Sequence, residues 1–110
     1  MQESDQLDLC EIVITGPKDT WMQQFCKELV EERLCACVNI DENVHSVYRW
    51  EGKIYEEIET KARIHTKVSL SDKIIKKAKL AHPYSEPSII VTPIIGGSDT
   101  YLDWIRSETI

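Results

Sequence analysis

At 110 residues, 42% of them hydrophobic and 29% charged, the chain has the make-up of one globular domain able to bury about two-thirds of its unfolded surface. A net charge of −6 argues against a nucleic acid or an anionic membrane as partner, since either would select a basic patch. No stretch approaches the ~20 apolar residues of a membrane span, and the acidic start MQESDQLDL does not read as a signal peptide. With four cysteines and no export signal, we expect reduced thiols and a cytoplasmic location. Cys10, Cys26, Cys35 and Cys37 read as small core residues, and the single residue between Cys35 and Cys37 is a poor spacing for zinc. Residues 1–110 are expected to form one domain, with 1–6 as a flexible tail.

In chain order, Leu7 to Thr15 is an apolar run closed by Gly16-Pro17, which predicts a strand. Met22, Phe25, Cys26, Leu29 and Val30 then recur at helical spacing, with Asp19 or Thr20 placed to cap the helix. A second strand is predicted from about residue 35 to 50. The polar Asp41-Glu42-Asn43 in its middle predicts a bulge or bend, with a full break between two strands as the alternative. From Lys53 to Lys67 the residues alternate. Odd positions from Lys53 to His65 are polar or amphipathic and expected in water, while Ile54, Ile58, Ala62 and Ile64 are expected on a core, with Glu56 and Thr60 as exceptions. Glu51-Gly52 between the two strands fits a two-residue turn, because Gly accepts a positive φ. The hairpin from Val44 to Thr66 is long against the usual strand of about five or six residues and should outrun its own sheet.

Ser69 is expected to open a second helix, with Asp72 completing a capping-box-like pair. Leu70, Ile74, Ile75, Ala78 and Ala81 form its apolar stripe. Lys73, Lys76, Lys77 and Lys79, with no interleaved aromatics, read as a solvated face. His82 precedes Pro83 and so ends the helix, leaving a rigid loop through Pro87. Ser88 to Ile95 is a fourth strand, and Pro93 places it at an edge or bulge. Ser98 or Asp99 caps a final helix with Tyr101, Leu102, Trp104 and Ile105 on its apolar side.

The order β-α-β-β-α-β plus a short helix predicts an α+β, ferredoxin-like βαββαβ sandwich, since two right-handed crossovers put both helices on one face. Strands two and four then lie at the edges. A long second strand bearing Val44, Val47, Tyr48 and Trp50 is an edge that monomers normally blunt, so other subunits are expected to cover it, in a ring or trimer.

Tyr48-Arg49-Trp50-Glu51-Gly52-Lys53 resembles the aromatic-Trp-Glu-Gly-Lys turn of the CutA, or divalent-cation tolerance, proteins. His82-Pro83-Tyr84 followed by Pro87 resembles their His-Pro-Tyr loop. Ala36-Cys37-Val38-Asn39-Ile40 and Tyr101-Leu102-Asp103-Trp104 also fall in the family's order. The resemblance covers about residues 9 to 106. It implies a homotrimer built through the long hairpins and an association with divalent-metal tolerance, chiefly copper. Copper-linked members have a Cys where this chain has Ile14, a further His where it has Ala81 and a Glu where it has Ser88. Their usual Lys late in the third strand is His65 here, and Glu86 lies two positions short of their acidic site. Of that cluster only His82 remains, and it is the one metal-ligand candidate.

A copper or zinc centre needs three or four converging ligands, whereas His45, His65 and His82 are dispersed, so neighbouring chains would have to complete the set. The alternative is a trimeric small-ligand sensor similar to the PII signalling proteins. In either case Trp50, Glu51, Lys53 and Tyr84 are expected to meet across an interface and line a cleft between subunits. Without a Gly-rich phosphate loop, a nucleophile motif or a clear carboxylate pair, the chain does not read as an enzyme.

Overall fold

The computed structural model describes residues 7–110; the tail expected over residues 1–6 lies outside them. Strand β1 (Leu9–Gly16) leads to helix α1 (Trp21–Glu31), then to β2 (Cys37–Trp50) and β3 (Lys53–Lys67). Helix α2 (Ser71–Ala81), β4 (Ile89–Pro93) and α3 (Asp99–Glu108) complete the chain. The sheet order is β2-β3-β1-β4, with every neighbouring pair antiparallel. This is the expected ferredoxin-like sandwich, with β2 and the proline-bearing β4 at its edges.

One face of the sheet is apolar because Ile12 and Ile14 of β1 stand beside Ala62 and Ile64 of β3. Met22, Phe25 and Leu29 of α1 and Ile74 and Ala78 of α2 close over it, and all are buried. Thr60 and Thr66 belong to the same buried face. Thr60, an apparent exception to the alternation, therefore keeps its rhythm. Cys10, Cys26 and Cys35 are buried in this core and Cys37 is half-buried, all four as free thiols. Burial pushes the Cys26 and Cys35 thiols up to about 12.

The β2–β3 hairpin runs beyond the helices, and its outer half is exposed on both faces. Ile54 and Ile58, expected on a core, are 64% and 43% exposed because no helix reaches that far. Glu51 at φ 49° and Gly52 at φ 81° make the two-residue turn with both central residues left-handed. The polar Asp41-Glu42-Asn43 is a bulge: Asp41 pairs with Lys61 but Val44 with Glu59, and Asn43 has φ 62°.

Some details differ from expectation. A short 3₁₀ turn, Val68–Leu70, precedes α2, and the Ser71 hydroxyl donates back to the Val68 carbonyl, so the Ser69–Asp72 capping pair does not form. Val30 and Trp104 sit at the margins of their apolar stripes and are each 41% exposed. At the end of α1, Arg33 adopts φ 60° while the Leu34 N–H returns to the Leu29 carbonyl, closing the helix with a left-handed residue that is not glycine. The Arg33 guanidinium reaches the far end of the chain, where Nε and Nη2 donate to the Glu108 and Ser107 carbonyls at 3.0 and 2.9 Å. Among the described residues no helix is long and apolar enough to cross a membrane.

Ile12 is fully buried between the sheet and both helices. Ile12→Ala is expected to cost about 2–5 kcal/mol in urea unfolding, and a loss below about 1 kcal/mol would show that the core is centred elsewhere.

Candidate functional site

Along the protruding hairpin, from Glu59 at its base to Trp50 near its tip, a cleft of about 520 Å³ opens between the arm and the loop that follows α2. Three aromatic side chains (Tyr48, Trp50, Tyr84) and three carboxylates (Glu57, Glu59, Glu86) line it, with Thr15 and several serines between them. No lysine, arginine or histidine is among its lining residues.

The arm supplies one wall. Ser46 faces Glu57 and Tyr48 faces Tyr55 across the ladder, so the aromatics of β2 and the carboxylates of β3 share one face of the sheet. Tyr48 stacks on Tyr55 with ring centroids 5.6 Å apart, and its hydroxyl donates to Glu57 Oε1 at 2.6 Å. That bond pushes the Tyr48 phenol up to about 12, because ionisation would set a phenolate against a carboxylate.

The loop supplies the other wall, and His82 holds it in place. A backbone amide only donates, so His82 Nδ1 must accept from the Tyr84 N–H at 3.0 Å. A carbonyl only accepts, so Nε2–H donates to the Thr15 oxygen at 2.7 Å. These two bonds require the neutral Nε2–H tautomer and consume both ring nitrogens. The ring is 8% exposed and lies between Trp21, centroid distance 4.7 Å, and Tyr84, 4.8 Å. Trp21 in turn stacks on the core residue Phe25 at 5.0 Å, so a continuous aromatic column leads from the core to the cleft.

Tyr84, fixed this way, reaches across to β3 and donates to Glu59 Oε2 at 2.9 Å. Glu59 was expected in water with the other odd positions of β3, yet it is only 6% exposed. Burial, and then the bond to Glu59, raise the Tyr84 phenol above its ordinary value.

Of the four expected cleft residues, Trp50 and Tyr84 line this cavity, and a single chain is enough to form it. Glu51 lies in the turn at the arm's tip and Lys53 pairs with Trp50 beside it; neither is among the lining residues. Sequence reading missed Glu57 and Glu59. Their period-two spacing signalled only a polar strand face, and the covering residue, Tyr84, is remote in the chain.

The three histidines stay apart. His45 pairs with Glu56 on the arm at 2.9 Å, and His65 bridges Glu11 at 2.9 Å and the Tyr101 hydroxyl at 2.6 Å. Among the described residues no group of three or more His, Cys, Asp or Glu is arranged to hold a metal ion.

The model of the CutA1 divalent ion tolerance protein family matches residues 10–108. The divalent-cation tolerance protein CutA of Thermus thermophilus is 40% identical over 98 residues, which cover 89% of this chain and 95% of that protein. A chloroplastic CutA protein of Arabidopsis thaliana is 37% identical over 98 residues, and the match spans 54% of its length. The crystal structure of CutA1 from Oryza sativa superposes with a TM-score of 0.90 at 34% identity, covering 94% of each chain.

Two outcomes follow from the cleft geometry. His82→Ala removes a two-sided backbone tie and is expected to destabilise the chain by about 3 kcal/mol in urea unfolding, while leaving copper stoichiometry unchanged. The raised Tyr84 phenol adds stability that is fully present below its ordinary value of 10.0 and is lost as pH climbs through the raised value. Wild type should therefore lose stability more steeply than Tyr84→Phe above pH 10.0, as read by alkaline unfolding.

Proposed function

The chain belongs to the CutA1 divalent ion tolerance family, and from that premise we propose that it serves cation tolerance as a homotrimer whose acidic clefts receive cations. The observation that carries this reading is the convergence of Glu57, Glu59 and Glu86 on one cavity without a basic side chain. Such a site attracts cations and repels the phosphates and carboxylates of most signalling metabolites, which disfavours the PII-like alternative.

The donor set for copper, the metal the resemblance implied, does not fit. Ile14 is buried in the core, Ala81 and Ser88 carry no soft ligand, and His82 has no free nitrogen. Carboxylates and hydroxyls suit hard divalent ions such as magnesium or manganese, which keep several of their waters. Since no three donors among the described residues are gathered for direct coordination, a hydrated ion is the form this cleft suits.

The arm supports the assembly. Among the described residues, edge strand β2 has no neighbour on its outer side. Val47 and Ile54 are 62% and 64% exposed on the face of the arm opposite the cleft. Apolar exposure on an unpaired edge suits further copies of the same chain. Four free thiols support a reducing compartment, the cytoplasm in our reading.

Sedimentation at micromolar concentration should give three times the 12.7 kDa chain mass, and Val47→Lys with Ile54→Lys should shift the protein to monomer. A monomeric wild type would refute the assembly. In calorimetric titration, manganese affinity should fall about tenfold in Glu59→Gln with Glu86→Gln, which removes two charged acceptors; equal affinity would remove the cleft from cation binding.

A further inference from the structure

We propose that the preferred occupant of this cleft is an organic cation, a linear alkyl polyamine, an inference that rests on reading the cleft as a cation site. Three features of the cavity go beyond what an inorganic ion requires. The first is size and wall chemistry. A cavity of about 520 Å³ walled by Tyr48, Trp50 and Tyr84 far exceeds one ion with a few waters, at about 30 Å³ of liquid volume each. Aromatic walls offer an aquo ion little, but they bind alkyl chains by dispersion and ammonium groups through the ring quadrupole.

The second is Glu59. It is more than nine-tenths buried, and the partner it has is the neutral Tyr84 hydroxyl on one oxygen; no cation among the described residues pairs with it. A carboxylate on so little-exposed a residue is normally paired with a cation. An ammonium group at the second oxygen would supply both charge and hydrogen bonds.

The third is spacing. Glu57 and Glu59 stand two residues apart on one face of a strand, and two rises place them about 6.6 Å apart. That is close to the separation of the amino groups in a short alkyl diamine. Glu86 on the loop wall gives a third carboxylate for a further ammonium group. The cleft thus alternates charge and apolar surface as a polyamine alternates ammonium and methylene groups.

Calorimetric titration of the intact protein with spermidine tests this, with manganese chloride titrated in parallel at the same ionic strength. One spermidine per chain is expected. Glu59→Gln, whose amide oxygen can still accept from Tyr84, should weaken binding about tenfold through loss of a charge-assisted hydrogen bond. Trp50→Leu should weaken spermidine about threefold through the lost ring contact and leave manganese unchanged. Glu57→Gln, at an exposed position that does not threaten folding, should weaken spermidine about as much as Glu59→Gln. Spermidine affinity unchanged in all three variants overturns the proposal. Manganese binding without spermidine binding overturns it while leaving the cleft as a divalent-ion site. Absence of both overturns the cation reading altogether.

Discussion

The geometry of the cleft depends on one extra residue in β2. From Asp41 to Val44 the second strand advances three positions while its partner advances two, from Lys61 to Glu59. Side chains alternate across a strand, so this bulge reverses which positions of β2 share a face with the odd positions of β3. Before it, Cys37, Asn39 and Asp41 face His65, Arg63 and Lys61; after it, Val44, Ser46 and Tyr48 face Glu59, Glu57 and Tyr55. Without the reversal Tyr48 and Trp50 would lie on the far side of the arm from the carboxylates. The left-handed Asn43 at the bulge, a residue type that tolerates positive φ, is thus a condition for the site as well as for the strand.

The second wall obeys a different constraint. A loop of seven residues between a helix and a strand has no ladder to hold it, and here a histidine ring does that work. His82 ties the Thr15 carbonyl at the end of β1 to the Tyr84 amide, while Trp21 backs its ring. A ligand candidate by resemblance is, by geometry, the residue that orients Tyr84. The same His-Pro-Tyr motif therefore keeps a structural role in a chain whose neighbouring copper-type positions are Ile14, Ala81 and Ser88.

Local rules exposed most of this fold. Period-two alternation, Gly52 at the turn, the polar interruption at Asp41-Glu42-Asn43 and Pro93 at an edge each act within a few residues, and each appears in the structure near its expected place. The candidate site was less legible. Trp50 and Tyr84 could be singled out by type, but the burial of Glu59 depends on a side chain twenty-five positions away, whose reach is set by a histidine hydrogen bond to a third element. Alternation assigned Ile54 and Ile58 to a core correctly by face and wrongly by depth, because it carries no information about where the helical layer stops.

The exit of α1 sets two demands at one position that no single residue type satisfies fully. A left-handed φ of 60° favours glycine, yet the guanidinium of Arg33 latches the last turn of α3, and the Arg33 carbonyl accepts the Ile110 N–H at 3.1 Å. Glycine would relax the backbone and release the latch; lysine would keep the strain and lose the two-pronged grip. The exit of α1 therefore acts as a keeper for the terminal helix.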